Sequence, residues 1–378
     1  MSATWAWPQV VHRRLAQGHL LEPAPPEAVP GVVAAVCGVQ AQVVAAAELG
    51  IGIRTAILNR AGLRDIVAND GTLVRTYAMR GTAYLLASDD LPLYAAAMRQ
   101  LRGGDTWFTG FGLNAEQAGE LFAATANALD GRTLTRAELV EELRRGVGTW
   151  LFDVFDESLA DLTVVTAYAG LLAYGPPQGA KTTFVRPDQW CPHWREVDEE
   201  GALTELVRRY IAAYGPVTHN DLARWLGIKS GSARDLISAL GAAVSRVDDL
   251  AGWLPADATQ PSPAGDPPPI VRLLPPYDSY ILGAGPLDQV VPPAAKNLIR
   301  RRHRGRYEGA AGMPVLLIDG EVVGIWERQL SGRRLQLTVI PVRALDDAER
   351  QALQVQADRL AEFLQAWVAL TVEVDGDR

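Results

Sequence analysis

Cysteine is almost missing from this chain: Cys37 and Cys191 are the two thiols in 378 residues. So widely spaced a pair builds no disulfide framework, and a reducing cytoplasm fits it. Cys191 and His193 lack the further ligands a zinc site needs, so no metal is expected. No apolar run approaches the about 18 residues that cross a bilayer. The start, MSATWAWPQVVHRR, lacks the basic, apolar and small-residue succession of a signal peptide. Nucleotide loops are missing too. Gly50-Ile51-Gly52 and Gly283-Ala284-Gly285 carry fragments of a dinucleotide fingerprint, and no GKS or GKT occurs. Ser230 to Ser232 form no nucleophile elbow, and with the nucleotide loops missing no cofactor is expected. Asp153, Asp156 and Glu157 have the composition of a carboxylate site but the spacing of charges on a helix surface. Lysine is scarce, at three of 36 basic residues (Lys181, Lys229, Lys296), which marks a GC-rich genome rather than a mechanism.

What is present is length and unevenly placed charge. The chain suffices for two or three domains, each with its own core. A net charge of −8 argues against a nucleic-acid partner only where that charge is spread evenly. It is not. KNLIRRRHRGR, residues 296–306, holds Lys296, Arg300, Arg301, Arg302, Arg304 and Arg306 with His303 and no acid. The bland reading is a solvated loop; the functional one is a set of phosphate contacts, which give affinity without sequence readout.

The stretch AAVCGVQAQVVAAAELGIGIR, residues 34–54, places two amides, Gln40 and Gln42, in an otherwise apolar run. Residues two apart on a helix point about 200° away from each other, so only an irregular or extended segment aims both at one target. An amide donates and accepts but takes no proton as a base. The pair therefore either closes a turn or caps the helix starting near residue 43, or holds and orients a reactant.

In chain order, Val10, Val11 and Leu15 sit at helical spacing, a second helix is predicted from near residue 32 into the glutamine stretch, and residues 45–58 and 63–68 read as helix. TLVRTYAM, Arg80-Gly81-Thr82 and AYLLAS follow as strand, turn and strand. Helices followed by a hairpin make a winged helix over residues 1–90. Residues 91–195 repeat the order, with helices capped by Asn114 and Thr135 and a hairpin from LLAYGP to KTTFVRP. Residues 196–256 repeat it most clearly, with three helices, the last opened by Ser230 or Ser232, and the strands AVSRV and WLP. Such a fold binds DNA or serves as a packing module. A proline-rich linker, 257–269, leads to a β-rich domain, 270–378. That domain has a hairpin at Asp319-Gly320, the basic segment as a hairpin projecting between strands, and a helix over 346–368.

GVQAQVVAAAELGIGIR, MRGTAYLL, YGPVTHNDLARWLGI, LLPPYDSYILG and LLIDGEVVGIWER, in that order, resemble the bacterial winged-helix DNA glycosylases of the AlkZ family, known for azinomycin resistance. The resemblance covers nearly the whole chain. It implies an α+β protein of three tandem winged helices and a small β-barrel-like C-terminal domain, C-shaped around a DNA channel, with a hairpin touching the duplex. In that family a Gln-apolar-Gln motif is catalytic, and Gln40-Ala41-Gln42 matches it; Tyr84 departs from the pattern, which has His there. The activity implied is a monofunctional, monomeric, cytoplasmic glycosylase acting on double-stranded DNA carrying N7-alkylguanine, or unhooking interstrand crosslinks, in self-resistance to a genotoxic natural product. The competing reading is a non-enzymatic winged-helix transcriptional regulator.

Overall fold

The computed structural model describes residues 5–56, 58–155, 160–195, 197–247, 250–260, 268–302 and 309–374. They fall into two compact units, residues 1–63 with 208–378, and residues 64–207.

In the first unit, helix Trp7–Gln17 starts with proline in its first turn and buries Val10, Val11, Arg14 and Leu15. Val11 and Leu15 share a core with Tyr280, Leu298, Ile325 and Ile340, so the start of the chain is built into its end. Helices Ala202–Tyr214, His219–Leu226 and Ser230–Ala239 are followed by the antiparallel pair Val244–Val247 and Gly252–Pro255. Thr218 caps the middle helix reciprocally with Asp221. The third helix differs from expectation: its cap residue is Lys229, and Ser230, already helical, gives its hydroxyl to Asn220 instead.

A five-stranded sheet follows, ordered Trp367–Val372, Arg334–Pro341, Glu321–Ser331, Val315–Ile318, Val271–Leu274. The expected barrel is not formed, since this sheet is open. Both its faces are already covered without closure. Leu274, Val315 and Leu317 pack into the core that holds Tyr280 and Leu298, while Leu273, of opposite parity, lies with Leu360 and Phe363 of helix Asp347–Phe363. That helix makes the crossover that lets Arg334–Pro341 and Trp367–Val372 pair in parallel. The Asp319-Gly320 turn is as expected, with φ of 46° and 81° at its two central residues.

Two further expectations fail here. The described part of the basic segment is no hairpin: Lys296 and Arg300 to Arg302 lie on helix Pro293–Arg302, whose Ala295, Leu298 and Ile299 recur at helical spacing and are buried. DSYILG, inside the domain expected to be β-rich, forms the short helix Ser279–Gly283, because the Asp278 carboxylate accepts from the Tyr280 N–H and opens a helical turn.

The second unit holds strands ordered Ala83–Ala87, Leu73–Tyr77, Ala173–Tyr174, Thr183–Val185 and Leu134–Thr135, all antiparallel, so the two hairpins share one sheet. Asn114 and Thr135 cap helices Ala115–Ala128 and Arg136–Val147 through capping boxes, as expected. Among the described residues no helix is long and apolar enough to cross a membrane.

Candidate active site

Helix Val29–Ala35 stops short of the glutamines because Cys37 and Gly38 turn left-handed, at φ 53° and 86°, and the Gly38 N–H closes back on the Val33 carbonyl at 2.9 Å. The chain then runs as the two-residue strand Val39–Gln40, bends at Gln42, and resumes as helix Val44–Gly52, called here the motif helix. Neither amide sits on a helix, so the 200° obstacle disappears. Gln40 is buried at 8% exposure while Gln42 is exposed, followed by Val43 and Val44 at 47% and 41%. The capping role is not what the structure has. Val43 is the cap residue of the motif helix, with no side-chain cap bond.

The backbone around the pair is held from several sides. Tyr214 donates its hydroxyl to the Val36 carbonyl at 2.7 Å, and Ser279 donates to the Gly38 carbonyl at 3.3 Å. Burial pushes the Tyr214 hydroxyl well above its ordinary pKa, so it stays a donor. At the far end, Arg54 reaches the Gly50 carbonyl at 2.7 Å and the Gly18 carbonyl at 3.0 Å, and meets Asp278 with two bonds of 2.7 and 2.8 Å. Burial alone would lower the Arg54 pKa; Asp278 more than offsets it and raises it. Gly52 lets the motif helix approach the C-terminal helix, since a Cβ there would fall 2.5 Å from the Phe363 ring. The motif helix itself was expected over residues 45–58; it ends at Gly52, where this packing and the Arg54 bonds take over.

Three charged groups among the described residues of this unit stand apart from the Arg54–Asp278 pair. On the motif helix, Glu48 accepts from Arg60 Nε at 2.6 Å. Lys296 pairs with Asp288, and Arg300, Arg301 and Arg302 line the exposed last turn of their helix; His303, Arg304 and Arg306 lie outside the described residues. The third group escaped sequence reading. Glu321–Ser331 and Arg334–Pro341 form a long hairpin whose residues 327–334 are all exposed, with Arg328, Arg333 and Arg334 among them. The Arg334 guanidinium stands 5.2 Å over the ring of Trp367, itself 55% exposed. Its signal was ERQLSGRR, where polar residues break the alternation that a strand buried on one face requires.

In the second unit, Tyr84 is 2% exposed and its hydroxyl accepts from Arg80, which sits at the hairpin tip with φ 59°. Cys191 is buried, its thiol pushed up to about 12 by burial and then by Asp89 and Asp188. Asp153 is exposed on the short helix Leu151–Val154; Asp156 and Glu157 lie outside the described residues.

Residues 33–363 match the family described as DNA glycosylase AlkZ-like. The chain is 33% identical over 374 residues to an interstrand DNA cross-link repair glycosylase of Streptomyces sahachiroi, covering 94% of this chain and 96% of that protein. The solved structure of the Streptomyces sahachiroi DNA glycosylase AlkZ superposes with a TM-score of 0.78 at 28% identity, over 99% of this chain and all of that one.

Proposed function

Because the chain belongs to the AlkZ-like DNA glycosylase family, we propose that it releases N7-alkylguanine from duplex DNA by hydrolysis, with Gln40 and Gln42 as its catalytic amides. The observation that carries this reading is the exposed Gln42 beside the buried Gln40 on a non-helical segment whose backbone is fixed by Tyr214, Ser279 and the Arg54–Asp278 pair.

Alkylation at N7 makes guanine cationic. Its bond to C1′ breaks with the electron pair passing to N9 and neutralising the ring, so the base needs no acid to leave. What is left to catalyse is the oxocarbenium-like sugar and the placement of one water, whose oxygen bonds C1′ and whose proton passes to solvent. Two preorganised amides are suited to that task, each worth roughly 10² to 10³ in rate. An uncharged, undamaged base lacks this driving force, which limits the substrate to cationic adducts. No lysine neighbours the motif in sequence, so the product is an abasic site in an uncut strand.

The helix-then-hairpin runs are read as three winged helices that act on the duplex as a monomer in the cytoplasm. Arg300 to Arg302 and the long arginine-bearing hairpin supply contacts to the DNA backbone. The Streptomyces sahachiroi relative is described as acting on interstrand cross-links. The same substrate class extends to this chain as unhooking of a crosslinked guanine, in self-resistance to a genotoxic product. The non-enzymatic regulator gives way to the family assignment.

The test is a duplex with one N7-methylguanine, assayed for alkali-labile sites in single-turnover conditions. The parent protein is expected to give abasic product and no cut before alkali. Gln42→Ala and Gln40→Ala are expected to lose roughly 10²-fold in rate or more. Base release by both variants at the parental rate would remove the amides from the mechanism.

A further inference from the structure

From Val36 to Ile51 the chain is apolar apart from Gln40, Gln42 and Glu48, and it comes to the surface at one point. Residues 36–41 and 46–51 are buried; Gln42, Val43 and Val44 between them are exposed, with Ala45 half-buried. Val43 and Val44 keep 47% and 41% of their surface in solvent. A lone exposed apolar side chain is ordinary, and the other large ones among the described residues, such as Phe152, Leu330, Val355 and Trp367, each stand alone in the sequence. Two side by side, directly after the exposed amide, are not ordinary. The helix gains nothing from Val43 either. A cap position favours a side-chain oxygen, and a branched apolar residue is among the poorest choices there. The Val43 carbonyl takes the Ala46 N–H at 2.9 Å, but its side chain caps nothing. Both valines are branched at Cβ and so stiff at χ1, which presents them as a fixed apolar surface.

We infer that Val43 and Val44 pack against the deoxyribose wall of the minor groove and so seat C1′ of the lesion against Gln42. This rests on the proposed glycosylase reading of Gln42 and adds to it a positioning surface. The bond that a glycosylase breaks ends at C1′, on the sugar, which is the uncharged and most apolar part of the DNA backbone. An amide that reaches C1′ brings the residues next to it against the same sugar or its neighbour. Arginine suits a phosphate; valine suits the sugar. Minor-groove proteins that part the bases use apolar wedges, commonly longer ones such as Phe, Leu or Met. Valine is too short for that, so this pair rests on the sugars and leaves the base stack closed.

The experiment compares the full-length parent with Val43→Thr, Val44→Thr and the double variant. Threonine keeps the shape of valine, replaces one methyl by a hydroxyl, and at position 43 makes a better helix cap. Thermal unfolding is therefore expected at the parental midpoint or above it, while base release from the N7-methylguanine duplex slows. Each substitution is expected to lower kcat/KM by roughly tenfold, the factor that one buried valine side chain is worth. The slope of log affinity against log salt should stay parental, because a sugar contact releases no counterion. Hydroxyl-radical footprinting reads the sugars directly, on a duplex whose one N7-methylguanosine carries a 2′-fluorine that keeps the base in place. The parent is expected to protect the deoxyriboses beside the lesion, and the double variant to lose that protection while keeping it elsewhere. Should the double variant not fold, the single variants carry the same readings. Parental protection of those sugars in the variants would overturn the contact, whatever their rates. A rate that falls only together with the unfolding midpoint would make the valines structural and overturn it too. Failure of the glycosylase reading looks different: the parent protects the sugars but releases no base from the unfluorinated duplex.

Discussion

A guanidinium and a carboxylate withdrawn from water each cost several kcal/mol unless they meet in good geometry. Arg54 and Asp278, at 1% and 0% side-chain exposure, meet through two parallel bonds. Their geometry ties the end of the motif helix to the segment that also anchors Gly38 through Ser279. Asp278→Ala leaves a buried cation without its counter-charge, and a loss of about 3–5 kcal/mol in urea unfolding is expected. Arg54→Met/Asp278→Leu, which removes both charges, is expected to recover most of that loss. A single variant at parental stability would show that the pair is not what holds the segment. The amides themselves were legible as residues, because two polar side chains in an apolar run need a reason. The clamp behind them was not. LLPPYDSYILG stands out as a string, but Asp278 is 224 positions from Arg54 and no periodicity links them.

At the scale of elements, legibility followed how local the cause is. Asn114, Thr135 and the Asp319-Gly320 turn act within four residues, and all three elements form where the sequence placed them. The motif helix stops at Gly52 and the described part of the basic segment is helical for reasons lying elsewhere, in the Phe363 ring and in the core beneath Leu298. The C-terminal helix, expected over 346–368, likewise ends at Phe363, after which Gln365 turns left-handed and the last strand begins at Trp367. Its start is a local cause with a pH signature. Glu349 closes the capping box with Asp346 and receives two bonds from Arg343 at 2.6 and 2.7 Å. The Arg343 bonds foremost hold its pKa below the ordinary 4.5. A carboxylate depressed in the folded state leaves the unfolded chain to take up protons first. Its contribution is thus full above the ordinary value and lost as pH falls through the folded one. Arg343 is 47% exposed, so the effect is modest. Glu349→Ala is expected to cost about 1 kcal/mol near neutrality. The gap to the parent should close as thermal unfolding is followed down towards pH 3; a gap constant with pH would assign the loss to packing.

The molecule as a whole is not a string of modules in chain order, because residues 1–63 complete a unit with residues 208–378. Val10, Val11, Leu15 and Leu20, none more than 4% exposed, are buried against residues such as Leu254, Tyr280 and Leu298. At about 1.5–3 kcal/mol for each side chain removed from water, the four together contribute roughly 6–12 kcal/mol, which is comparable to the net stability of a typical domain. Arg14 adds polar links that only the C-terminal part can accept, to the carbonyls of Tyr214 at 2.8 Å and Pro216 at 2.6 Å. A fragment of residues 202–378, which keeps helix Ala202–Tyr214 whole, is therefore expected, when produced alone, to unfold without a cooperative transition and to bind hydrophobic dyes. Supplying residues 1–63 on a circularly permuted chain, joined after Arg378, should restore a single sharp transition. Cooperative melting of the lone fragment at the parental midpoint would mean that the start of the chain rests on a finished domain. The glutamine segment would then be held by fewer constraints than its bonds to Tyr214 and Ser279 imply.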